Sequence, residues 1–271
     1  MKNVTEQIKA RKSVRTYDGR VLDDATKDML LAYTREIKNP FCIPVEFKFL
    51  DGEKNGLVCP VVVGTDLFIG AKIKKVPNAN VAFGYSFEKF VLYAWSEGIG
   101  TVWLGGTMNR AEFERAMELS NDESMMCASA VGYPAKKMSI RETTMRAAIK
   151  ADERLPFEEL FFDKTFDTPL NREKAGNLFL PLEMVRLAPS AINKQPWRLL
   201  VCDGIVHFYL RRNYGNRPEG KPDMQTIDMG IALCHFDLTA KECGINIEFV
   251  QEDPNIPCGE MEYIASYRII G

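Results

Sequence analysis

The sequence predicts an α+β fold built from two related halves, and three observations carry that prediction. Apolar runs of strand length alternate with segments of helical period. Two long apolar helices, at 81–97 and 228–243, hold corresponding places in the two halves. The surroundings of those helices also repeat. Val45-Glu46-Phe47-Lys48-Phe49-Leu50-Asp51-Gly52 matches Trp197-Arg198-Leu199-Leu200-Val201-Cys202-Asp203-Gly204, each following a proline, Pro44 and Pro196. Gly84, Phe90, Leu92, Ala94, Gly98 and Ile99 match Gly230, Phe236, Leu238, Ala240, Gly244 and Ile245, and the strand candidates Ala128 to Gly132 and Ser266 to Gly271 complete the pattern. A unit duplicated within one chain predicts an internal pseudo-dimer, with halves at 1–165 and 166–271.

In chain order, Asn3 to Lys12 reads as a short helix with Asn3 or Thr5 as its cap. Asp23 to Lys38 reads as an amphipathic helix, with Met29, Leu30, Tyr33 and Ile37 on one stripe. Val45 to Leu50 and Leu57 to Val63 are strand candidates. After the first long helix, Gly98-Ile99-Gly100 is a stop, Thr101 to Leu104 a buried strand, and Gly105-Gly106 a turn before a helix at Asn109 to Leu119. Cys127 to Tyr133 is another strand, and the segment after it is polar. Leu180 to Leu187 reads as a helix stopped by Pro189. Trp197 to Cys202 reads as a strand closed by Asp203-Gly204. Thr65 to Asn80 and Arg211 to Thr226 read as long loops rich in Gly, Pro and charge. The run Arg211-Arg212-Asn213-Tyr214-Gly215-Asn216-Arg217 is either a solvated loop or an attractor for an anionic substrate.

Composition bounds the function. The chain has 271 residues, 46% hydrophobic and 27% charged, an ordinary globular balance. A formal net charge of −2 gives no global field for nucleic acid or a membrane surface, and neither is expected as a partner. The seven cysteines are an odd, scattered set with no Cys-x-x-Cys, and there are two histidines. No disulfide framework and no metal site are expected. No apolar h-region opens the chain and no apolar run approaches the ~18 residues of a membrane span, so a cytoplasmic location is expected.

Two stretches carry chemistry. Arg11-Lys12-Ser13-Val14-Arg15 puts three cations and a hydroxyl just past a helix. Paired guanidinium N–H donors suit a phosphate, although a basic cluster of this kind also serves as a plain solvated turn. Ala188-Pro189-Ser190-Ala191-Ile192-Asn193-Lys194-Gln195-Pro196-Trp197 is a tight polar loop between an apolar helix and an apolar strand. Its hydroxyl and amides can bond the edge of a flat heterocycle, or can satisfy only their own backbone.

Taken together, these two motifs resemble those of the FMN-dependent nitroreductase superfamily, in the variant group where two nitroreductase-like halves are fused. The resemblance implies a three-layer α/β/α fold with a mainly antiparallel sheet in each half, and one cooperative unit that works as a monomer. It implies FMN as cofactor and NADH or NADPH as electron donor. The cofactor-binding residues it implies are Arg11, Lys12, Ser13 and Arg15 at the phosphate, with Lys150 and Arg154 as further candidates. At the ring they are Pro189, Ser190, Ala191, Asn193 and Gln195, with Leu104, Gly105 and Gly106 over the N5 side. Hydride would pass from the nicotinamide to flavin N5 and on to a small organic acceptor, nitroaromatic or quinone-like, in a ping-pong cycle. No residue marks itself as an acid–base catalyst. An FMN-binding protein or sensor without turnover is the alternative.

The motifs are unequally shared. The counterpart of the basic turn, Asp163 to Asn171, has no arginine. The counterpart of the polar loop, Glu36-Ile37-Lys38-Asn39-Pro40-Phe41, has neither the serine nor the glutamine. One complete flavin site and one lost site follow, so flavin quantified by absorbance against protein should give about one FMN per chain, where two intact copies would give about two.

Overall fold

A computed structural model describes residues 3–213 and 222–270. The chain divides into two compact units, one formed by Ala10–Ala151 and the other by Asp152–Gly271 with Lys2–Lys9. The first helix, α1 (Val4–Ala10), is therefore grouped with the second unit. Glu242 accepts hydrogen bonds from the backbone of Val4 and Thr5 (2.8 Å for Thr5), satisfying donors that α1's first turn leaves open.

Unit 1 contains α2 (Asp24–Glu36), β1 (Val45–Asp51), the short α3 (Gly52–Asn55), β2 (Leu67–Lys74), α4 (Ala79–Ser96) and β3 (Gly100–Leu104). It continues with α5 (Arg110–Ala116), the two-residue β4 (Glu123–Ser124), β5 (Ala128–Gly132) and α6 (Ile140–Ala148). Its sheet runs β1-β2-β5-β3, all antiparallel, with β4 on β2. Unit 2 contains α7 (Phe157–Leu160), β6 (Phe161–Asp163), α8 (Arg172–Ala175), α9 (Phe179–Arg186) and β7 (Trp197–Cys202). Then come β8 (Ile205–Leu210), α10 (Met224–Glu242), β9 (Ile247–Val250) and β10 (Glu262–Ile269). Its sheet runs β6-β7-β8-β10-β9, antiparallel except for the parallel β6–β7 pair.

The order β1-β2-β5-β3 is repeated by β7-β8-β10-β9, with α4 and α10 at the same place in each series. The fold is thus α+β and duplicated, as the sequence repeat predicts. The matched glycines have a physical cause. Gly98 (φ +77°) and Gly244 (φ +72°) stand just past α4 and α10 in the left-handed region. Ile99 then donates to Ala94 O and Ile245 to Ala240 O, both at 2.9 Å, closing the same Schellman-type end in both units.

Two expectations need correction. Leu57 to Val63 forms no strand beyond a single bridge of Val63 to Thr16. Pro60 removes a ladder donor from the middle of that run. Thr65 to Asn80 is not a loop: it contains β2, which lies between β1 and β5, and its Gly70 and lysines disguised a strand buried at Phe68, Ile69, Ala71 and Ile73. The two Asp-Gly pairs do different work. Asp203 (φ +48°) and Gly204 (φ +74°) form the two-residue β7–β8 hairpin turn. Asp51 instead caps α3, accepting from Lys54 N at 2.9 Å, and Gly52 is required because a Cβ there would lie 2.7 Å from Asp66 O. Arg211 to Thr226 is described only in part: Tyr214, Gly215, Asn216 and Arg217 lie outside the described residues, as does Gly271.

Each sheet carries its long helix on one face. In unit 2, Phe236 of α10 is fully buried, its ring 5.6 Å from Phe208 of β8 and 5.5 Å from Tyr267 of β10. Phe236→Ala should cost about 3–5 kcal/mol in urea unfolding, through lost burial and the cavity left behind. A loss under about 1 kcal/mol would mean that this helix–sheet contact does not organise the unit.

Candidate functional site

In unit 1 the basic turn is threaded through the fold. Val14 N donates to Thr101 O (2.8 Å), Val63 N to Arg15 O (2.9 Å) and Tyr17 N to Val63 O (2.8 Å). Val14 lies against Gly100, where any Cβ would come within 2.9 Å of it. This lacing draws Arg11 and Arg15 inward and leaves Lys12 exposed. The Arg11 side chain is 6% exposed and its Nε lies 3.9 Å from the fully buried Glu88 of α4, which also accepts from Trp103 Nε1 at 3.0 Å. Arg15 is buried as well, and its backbone N–H donates to Glu142 Oε1 at 3.1 Å.

Glu142 comes from α6, whose start is a modified capping box. Ser139 Oγ accepts from Glu142 N at 3.2 Å. The Glu142 carboxylate, in place of returning to Ser139 N, takes Arg15 N and Thr16 Oγ1 (2.7 Å), while Ser139 N donates to Thr16 Oγ1 (3.0 Å). The helix is thereby pinned to residues 15–16. Arg146, four residues past Glu142, stands on the same helix face. Its charge is felt by both buried guanidiniums.

Burial is the main cause that lowers the pKa of Arg11 and Arg15. Glu88 and Glu142, respectively, oppose it, and Arg146 adds to it. Both Nε atoms are buried with no hydrogen-bond partner among the described residues. A buried donor left unmade costs about 1–3 kcal/mol. Two such donors lie near a third cation, and no acceptor for them stands among the described residues. Arg146 is absent from the sequence-derived set, although Ser139-Ile140-Arg141-Glu142 carries the capping-box signature that would have started its helix. Lys150, two residues past α6, is exposed with φ +50°.

Also in unit 1, Leu104 ends β3 and is buried. Gly105 O accepts from Arg110 Nη2 (2.9 Å), which anchors the turn. Gly106 is exposed, and a Cβ there would meet nothing, so packing within the chain does not demand glycine.

The polar loop belongs to unit 2. Ile192, Asn193 and Gln195 all have positive φ (44°, 56° and 47°), costly for a β-branched residue such as Ile192. The loop is held from three sides. Ser190 Oγ accepts from Gln195 N (2.9 Å). Gln195 Oε1 takes Leu155 N (2.9 Å), and Asn193 Nδ2 donates to Glu153 O (2.9 Å). Arg154 reaches Asn193 Oδ1 (3.4 Å) and Leu187 O (3.3 Å), so it braces the loop. Ala191 N donates to both oxygens of Asp228 at 3.1 Å. Pro189, Ser190, Ala191 and Asn193 stay half-buried, whereas Gln195 is 4% exposed.

Residues 3–240 match the family model described as "Putative TM nitroreductase". The chain belongs to this nitroreductase family. A solved Thermotoga maritima protein described as a putative nitroreductase shares the fold at a TM-score of 0.61 and 21% identity, covering 99% of this chain and 93% of that one. Two half-length neighbours are a nitroreductase family protein from Clostridium difficile 630 (TM-score 0.44, 17% identity, 59% of this chain and 96% of that) and an FMN-dependent nitroreductase from Clostridium difficile R20291 (0.41, 15%, 51% and 92%). No curated protein matched the chain. Among the described residues, no helix is long and apolar enough to cross a membrane.

Asp228 gives a pH test of the loop's brace. Burial, chiefly, and then Asp223 raise its carboxyl pKa well above the ordinary value, against the opposing hydrogen bond from Ala191. The folded protein therefore keeps this proton to higher pH than the unfolded chain does. The stability tied to it is whole below the ordinary carboxyl pKa and is lost as pH rises. Asp228→Asn still accepts from Ala191 N and cannot ionise. The variant should lose less melting temperature than the parent between about pH 4 and 8. Equal slopes in both proteins would show that Asp228 ionises without cost.

Proposed function

We propose that this chain is an FMN-dependent NAD(P)H oxidoreductase of nitroreductase type acting on a small organic acceptor. The observation that carries the proposal is the pair of buried Nε donors of Arg11 and Arg15, which make no hydrogen bond among the described residues, near the charge of Arg146. Three cations face two carboxylates, Glu88 and Glu142, so a phosphate dianion is stabilised where water is largely excluded. Ser13 and Lys12 extend that grip. Pro189, Ser190, Ala191 and Asn193 offer a rigid bend to the edge of the ring, with Arg154, Gln195 and Asp228 fixing its shape. Leu104 to Gly106 offer a backbone stretch that a planar ring can approach closely. When bound, FMN supplies hydride transfer between the nicotinamide nucleotide and the acceptor. The protein's part is position and electrostatics, and no side chain is assigned a proton-transfer role. The family likeness and the duplicated fold support this reading.

The purified protein should be yellow, bleach on addition of NADH or NADPH and recolour with a quinone. Arg11→Gln, Arg15→Gln and Arg146→Gln should each weaken FMN binding at least about tenfold in flavin-fluorescence titrations. A protein that takes up no FMN, or variants of unchanged affinity, would refute the reading. A bound flavin indifferent to both nucleotides would make the chain a flavin binder.

A further inference from the structure

Unit 2 holds a second cationic cluster that the flavin reading does not use. Arg198 of β7 is 9% exposed and lines two adjoining cavities, of about 480 and 450 Å³, on the sheet. Its Nη1 donates to Gln195 O (3.1 Å) and Trp197 O (2.6 Å), fixing the guanidinium plane. Its Nε is buried with no hydrogen-bond partner among the described residues. The Nε–Nη2 edge is the one a carboxylate can engage with two parallel bonds. Arg211, exposed, lines both cavities too. Arg212 completes the wall but is already neutralised, by Asp223 (2.9 Å) and Glu262.

Charges of both signs surround Arg198: Lys194, Arg211 and Arg212 on one side of the balance, Glu159 and Glu260 on the other. Burial first, then repulsion by Arg211, brings its pKa down to about 10, and Glu159 offsets only the smaller part. The larger cavity also has an apolar side: Phe162, Phe166 and Met261 line it with the arginines, and Glu260 stands at it. Tyr209, directly opposite Arg198 across β7–β8, packs edge-on to Phe166 at 5.0 Å. Its hydroxyl is likewise buried with no hydrogen-bond partner among the described residues. Cross-strand partners share a sheet face, so one face presents two unsatisfied polar groups beside an aromatic wall.

We propose that this cavity is a binding site for a small carboxylate with an aromatic or apolar body, its carboxylate on Arg198 and Arg211 and its body against Phe162 and Phe166. Such a ligand supplies the acceptor that Arg198 Nε lacks among the described residues. A cavity of this size suits a small molecule. The site lies wholly within unit 2 and does not depend on the flavin assignment.

The test is titration of the full-length protein, with whatever flavin it carries, with 4-fluorobenzoate followed by fluorine NMR, and with neutral 4-fluorobenzamide as control. Saturable binding of the benzoate is expected, at least about tenfold tighter than the amide. Arg211→Gln, at an exposed position that leaves the core intact, should weaken it by at least about tenfold, as should Arg198→Gln if its melting curve stays cooperative. If Arg198→Gln fails to fold, Arg211→Gln alone decides. No saturable binding, equal affinity for the amide, or an affinity that Arg211→Gln leaves unchanged would overturn the proposal. The last result, with a perturbed flavin spectrum, would place the benzoate at the flavin.

Discussion

A buried positive charge is tolerable only with a counter-charge or a ligand, and unit 1 is arranged around that constraint. Arg11 and Arg15 are drawn inside by backbone bonds to β3 and to the Val63 segment. Glu88, from the middle of a long apolar helix, stands against the first. Glu142, from the first turn of α6, bonds the backbone of the second and fixes where α6 begins. Remove either carboxylate and an uncompensated guanidinium remains in an apolar interior, a cost of several kcal/mol. The same arrangement leaves the two Nε donors with no hydrogen-bond partner among the described residues.

Unit 2 meets a different demand. Its polar loop holds three non-glycine residues in the left-handed region, a geometry that persists only where the surroundings impose it. Glu153, Arg154 and Leu155 on one flank and Asp228 on the other supply that restraint. Asp228 bonds the loop from within a buried helix at the expense of its own ionisation. On the loop's downstream side, Arg198 is anchored by the carbonyls of Gln195 and Trp197, so loop shape and guanidinium orientation are coupled. A ligand at Arg198 would therefore bear directly on the segment that carries Ser190 and Asn193.

Duplication explains both the similarity of the units and their divergence. The strand order and helix ends are kept because they bury the same apolar faces and close the same carbonyls. The polar segments between them differ, so the basic turn stands in one copy and the amide loop in the other.

The sequence by itself determined the repeat, the two long helices, β7 to the residue, and the two motifs, because period, glycine position and residue type are local properties. Local pattern misled where a tertiary partner decided. Leu57 to Val63 has strand composition but, with Pro60, finds no ladder, while Leu67–Lys74 looks like a loop and is enclosed by two strands. Arg154, a candidate for the phosphate by resemblance, reaches Asn193 Oδ1 and Leu187 O in the fold and braces the polar loop. Arg146 and Arg198 gain significance only from what folding sets beside them: for the first, two buried guanidiniums from the chain's opening turn, and for the second, a buried place on β7 where its Nε has no hydrogen-bond partner among the described residues.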